Sequence, residues 1–208
     1  MLQDRSACWF RLNSLVLMNW RNLSEDDYFL YARSFHVAAK KLARTLGTDP
    51  GPIPDFDLCP VLSAYRHAIE LHLKVIVLGD GGNFLPTKPD ELSVHKTRSL
   101  SWLAQFVVQI VMILRWEAEF TAPGIKDLAD FKVAVAEANE IDPSFQAFRC
   151  PANPDGAEPV KSAFLEFVRR LDVLVDLLAQ TADSLAAEWD LRSDAILEDG
   201  IDFNPTIQ

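Results

Sequence analysis

PVLSAYRHAIELHLKVIVL, residues 60–78, is apolar along most of its length yet keeps Arg66, His67, Glu70, His72 and Lys74 within nine positions. Apolar helices are normally cleared of such groups, because an unpaired buried charge costs several kcal/mol. Retaining five of them implies a polar cluster inside a bundle, a site, or a surface for a partner. At 100° per residue, Arg66, His67, Glu70 and Lys74 share one stripe of a helix. Glu70 and Lys74 form an i,i+4 pair in the favourable order, with Arg66 one turn earlier. His72 lies about 120° from Arg66. The plain reading is a Glu70 carboxylate held by two cations, with the histidines half-buried.

Outward from this stretch the pattern stays helical. Toward the N-terminus, Ser24 followed by Glu25, Asp26 and Asp27 reads as a capped helix start. Tyr28, Tyr31, Phe35, Ala38, Leu42 and Leu46 then recur at helical spacing, and Gly47 ends the run. A proline-rich loop leads to the central helix, expected from about 61 to 78 and closed by the glycines of 79–82. A third helix is expected from about 94 to 120, and a shorter one carries Leu128, Phe131, Val135 and Ala138. A last, nearly heptad stripe starts near Pro159 and includes Phe164, Phe167, Leu171, Leu174, Leu178 and Leu185. Together these predict an all-α bundle of four or five helices. The domain is expected over 18–189, with 1–17 as an N-terminal extension, since Met18 is an alternative start, and 190–208 as an acidic, loosely held tail.

At 208 residues the chain suits one well-buried core. Its net charge of -10 is uneven. Residues 1–116 hold 13 Lys/Arg against 11 Asp/Glu, and residues 117–208 hold 7 against 19. The second half is therefore poorly suited to phosphate backbones, which are neutralised by Lys and Arg. Three widely spaced cysteines in no CxxC arrangement suggest a reduced, cytosolic protein. Residues 9–20 are apolar but too short to span a bilayer, and no membrane association is expected.

The metal and cofactor motifs tested are missing from the sequence. It has no Glu-x-x-His of the di-iron bundles, no His-x-x-x-His and no cysteine–histidine cluster of zinc spacing. Neither a phosphate loop nor a Gly-x-Ser-x-Gly elbow is present. No metal or cofactor is expected. Two further candidates lie in loops, where functional side chains concentrate. His95 is expected to open the third helix near the polar stripe, and Arg149 is the single base between Lys132 and Lys161. A salt bridge that fixes its loop is the plain reading of Arg149.

The block His67-Ala68-Ile69-Glu70-Leu71-His72-Leu73-Lys74, followed by His95 and then Phe148-Arg149-Cys150-Pro151, resembles the HEPN superfamily of nucleotide-binding helical domains. The resemblance covers about 18–189. It implies an antiparallel helical bundle of a kind that often dimerises, so a homodimer is expected. The last helix, longer than an average globular one, is expected either to span the bundle or to pair with a partner helix. Many members are metal-independent endoribonucleases of toxin–antitoxin or phage-defence systems, which pair an arginine and a nearby histidine across a dimer. Carried over, those roles fall on Arg66 and His72, with RNA as substrate. Inactive members serve as binding or scaffold modules. The expectation is a cytosolic binding or regulatory module, with the ribonuclease as the alternative. His67, Glu70, Lys74, His95 and Arg149 are then the candidates for a polar cluster or ligand site.

Overall fold

The computed structural model describes residues 25–48, 55–141 and 161–199, with backbone alone for 25, 26, 55–57 and 195–199. Among them are six α-helices and no strand, so the all-α bundle expected from periodicity is the fold. None of these helices is long and apolar enough to cross a membrane. The N-terminal extension, the Ser24 cap and the loop carrying Arg149 lie outside the described residues.

Helix α1 (Glu25–Thr48) lies along α2 (Asp55–Leu78), which also packs on every other helix that positions the polar stripe. Almost every side chain of α2 between 65 and 77 is buried, as expected of a helix apolar on all sides. The helix starts about six residues before the expected 61. It takes Pro60 into its second turn, where the missing N–H removes one backbone hydrogen bond without ending the helix. Cys59, beside it, is disulfide-bonded, which corrects the reduced state expected from the cysteine spacing.

The buried face of α1 is shifted from the one expected. Tyr28 is buried and Tyr31, Phe35 and Leu46 pack on the core as expected, but Ala32, Ala39 and Ala43 are inside while Ala38 and Leu42 are exposed. Small side chains on this stripe let the backbones of α1 and α2 approach, and that close packing outweighs burial of the larger Leu42. Tyr28 and His36 fill the rest of the stripe.

After α2 the chain turns back on itself through a 3-10 turn, Asp80–Phe84. A Cβ on Gly81 would stand 2.4 Å from the Ile76 carbonyl oxygen and 3.0 Å from a Leu185 methyl. The obstruction is backbone, so it cannot be relieved by a rotamer change. Gly81→Ala is expected to lower stability by about 1–3 kcal/mol, read as a lower urea midpoint at an unchanged slope.

The expected third helix is two. Helix α3 (Glu91–Lys96) is capped by Asp90, whose carboxylate accepts from the Ser93 N–H at 2.8 Å. Helix α4 (Leu100–Leu114) is capped by Ser99, which accepts from the Trp102 N–H at 3.2 Å. Between them Thr97 and Ser99 are extended, so two separate caps interrupt one continuous apolar period. Helix α4 stops at Arg115, which is left-handed at φ 59°, and not at Phe120. Helix α5 (Leu128–Glu140) buries Phe131, Val135 and Ala138 as expected, behind an Asp127 cap.

Helix α6 (Lys161–Asp199) runs 39 residues. It continues past Asp190 to Asp199, the first half of the stretch where a loose tail is expected, and the rest of that stretch lies outside the described residues. Phe164, Val168, Leu171, Leu174, Val175, Leu178 and Leu185 are buried. That stripe joins α6 to the core shared by α2, α4 and α5. Each fully buried side chain of this size contributes about 1.5–3 kcal/mol relative to exposure.

Candidate functional site

The five polar residues of α2 divide among three surroundings. Arg66, Glu70 and Lys74 face the α3–α4 connection and are 1%, 4% and 4% exposed. Lys74 Nζ donates to Glu70 Oε1 at 2.9 Å and Arg66 Nη1 lies 3.4 Å from Glu70 Oε2. Both cations also reach across to backbone. Lys74 Nζ donates to the His95 carbonyl at 3.0 Å, and Arg66 Nη2 donates to the Arg98 carbonyl at 2.8 Å. Carbonyls at and just past a helix end lack intrahelical partners, and basic side chains are well suited to satisfy them. The stripe is therefore a clamp: one carboxylate centres two cations that tie down the exit of α3.

His95 sits at the edge of this clamp, at the end of α3 and not at the start of a long helix. Its ring stacks on Tyr28 with centroids 5.5 Å apart, and its Nδ1 is 2.6 Å from the Tyr28 hydroxyl. Burial, with the Glu70 and Glu91 charges adding to it, pushes the Tyr28 phenol above its ordinary range. The phenol thus keeps its proton and shares a hydrogen bond with Nδ1, while Nε2 lies 3.4 Å from the Glu91 carboxylate.

His67 is half-buried on the α1 side, edge-on to Phe35 with centroids 4.3 Å apart. Burial lowers its pKa, and the nearby cations Lys74, Arg98 and Arg66 work in the same direction against Glu70. His72 faces a third environment, at 2% exposed, edge-on to Phe29. Burial, with the His36 charge adding to it, pushes its pKa down to about 4. Neither ring nitrogen of His72 has a hydrogen-bond partner among the described residues. Arg66 and His72 are thus not brought together within the chain: one is committed to the α3 exit and the other is sealed between α1 and α2.

Compared with protein-family models, with curated proteins and with solved structures, the chain matches none of them. The site must be judged on its own geometry.

That geometry holds a second cluster that sequence reasoning missed. Asp172 Oδ1 on α6 takes three contacts: His36 Nε2 at 2.7 Å, Lys40 Nζ at 3.2 Å and the Tyr65 hydroxyl at 3.2 Å. Lys40 also bonds Asp176, one turn along α6. Burial first, then the Asp172 charge and hydrogen bond, raises the Tyr65 pKa well above that of a free phenol. One oxygen of the carboxylate collects donors from α1 and α2, so it knits three helices. The available signal was a pair of matching i,i+4 spacings, His36 with Lys40 and Asp172 with Asp176. Their 136-residue separation hides the pairing from any local pattern. Among the described residues, no three His, Cys, Asp or Glu side chains gather in a way that could hold a metal ion. Arg149, the remaining candidate, lies outside the described residues.

Proposed function

We propose that this chain is a HEPN-like helical module of a defence or toxin–antitoxin type that works by binding and not by catalysis. The burial of Arg66 carries the reading. A phosphate-polarising arginine must reach substrate, yet this guanidinium is 1% exposed and engaged with Glu70 and the Arg98 carbonyl. A general acid–base group works best with a pKa near the working pH. His72, at about 4, is far from that and is sealed from solvent.

A homodimer and a protein partner belong to the same proposal. The apolar stripe of α6 is used inside the bundle, so the part of α6 left to a partner is its end near the exposed Leu191. On α1, Leu30 and Val37 stand exposed one heptad apart and supply a second apolar patch.

The experiment is RNA cleavage in EDTA by the unaltered chain, Arg66→Lys and His72→Phe, with circular dichroism verifying the fold of each. The expected result is no cleavage in any preparation, or the same trace in all three. Cleavage by the unaltered chain that both folded variants lose would overturn the binding-module reading and install the ribonuclease.

A further inference from the structure

We propose that the cleft between the start of α1, the α2 exit and α6 binds a small organic cation, an ammonium group carried on a compact apolar body. The site stands apart from Arg66, Glu70 and Lys74 and does not rest on the binding-module reading. The cleft has a volume of about 210 Å³. A closed apolar cavity of about 150 Å³ already accepts benzene, so a six-membered ring with a short arm fits. Its walls are mostly apolar, and on the α6 side Ala182 and Ala186, one turn apart, leave open the space that longer side chains would fill.

Two carboxylates line the cleft, Asp80 from the 3-10 turn and Asp183 from α6. Neither has a hydrogen-bond or ion-pair partner among the described residues. The nearest cationic influence on Asp80 is Lys88, whose ammonium is bonded to the Asn83 side chain at 2.6 Å. Burial first, then the Asp190 charge, raises the Asp80 pKa against the opposing attraction of Lys88. Phe29 closes the α1 side. An aromatic ring beside an ammonium group is attractive where the cation reaches over its face. Apolar walls, an aromatic ring and two carboxylates without a direct ion pair select against anions, and the cationic head separates the fitting ligand from a neutral hydrocarbon of the same shape.

Calorimetric titration of the full chain tests this, with cyclohexylmethylamine as the probe and cyclohexylmethanol as its neutral counterpart. The amine is expected to bind at neutral pH at least about tenfold more tightly than the alcohol. Asp183→Asn, at an exposed position, is expected to weaken the amine roughly three- to tenfold. Ala186→Leu, which fills the cleft, is expected to abolish binding with the circular dichroism unchanged. Should that variant misfold, the Asp183→Asn comparison decides. Absence of amine binding, equal affinity for amine and alcohol, or an Asp183→Asn chain that binds the amine as before would each overturn the assignment.

Discussion

Replacing Glu70 by alanine is expected to cost the fold about 3–5 kcal/mol, the largest loss anticipated for any single side chain in the clamp. Glu70 is 4% exposed and is the one carboxylate in contact with both Arg66 and Lys74 among the ion pairs of the described residues. Its removal takes away the carboxylate that the two buried cations share, and loss of a desolvated counter-charge is what makes such deletions severe. The measurement is a urea titration, with the midpoint falling and the slope held. The combined replacement Arg66→Met, Glu70→Leu, Lys74→Met sharpens the interpretation. Exchanging a complete buried ion cluster for apolar residues is often neutral or stabilising. Here it also deprives the His95 and Arg98 carbonyls of their donors, at about 1–3 kcal/mol for each group left buried and unsatisfied. The triple variant is therefore expected to fall between the intact chain and Glu70→Ala. A triple variant as stable as the intact chain would mean that the two carbonyl bonds contribute nothing.

His72 should make stability depend on pH in a defined window. Its folded pKa, about 4, lies below the unfolded value near 6.5. Between those values the unfolded chain binds the proton and the folded chain does not, so stability rises with pH. The contribution is complete above about 6.5, is lost progressively as pH falls toward 4, and amounts to about 3 kcal/mol in all. His72→Leu keeps a side chain of similar bulk and removes both buried nitrogens. At neutral pH it is expected to be more stable than the intact chain by about 1–3 kcal/mol, because the two unsatisfied nitrogens of His72 are then gone. The gap should widen on acidification. Because the other carboxylates and His67 titrate in both proteins, the difference between the two stability curves isolates His72. Parallel curves from pH 7 to 4 would show that the imidazole is not buried in its neutral form.

The reach of the sequence followed the range of the interactions. The i,i+4 order of Glu70 and Lys74, the end of α2 at Leu78 and the Asp127-capped α5 are local features, and each could be read from spacing alone. His95 could be named as a neighbour of the stripe because only a loop separates it from α2. The division of α3 from α4 was written in Asp90, Thr97 and Ser99, but a continuous apolar period concealed it. The alanine face of α1 and the Asp172 junction were not legible, since both depend on which helices touch. So does the cleft beside Phe29, whose walls come from three stretches of chain.

Hydrogen exchange in a folded Lys74→Met chain is the most direct test that the α2 stripe is a clamp and not a reactive site. Lys74 holds the His95 carbonyl, and the neighbouring Val94 and Thr97 amides close α3 by bonding the Asp90 and Ser93 carbonyls. With that tie removed, peptides covering 91–99 should exchange markedly faster, while those covering 128–140 stay as protected as before. Unchanged protection across 91–99 in a variant that remains folded would contradict the clamp.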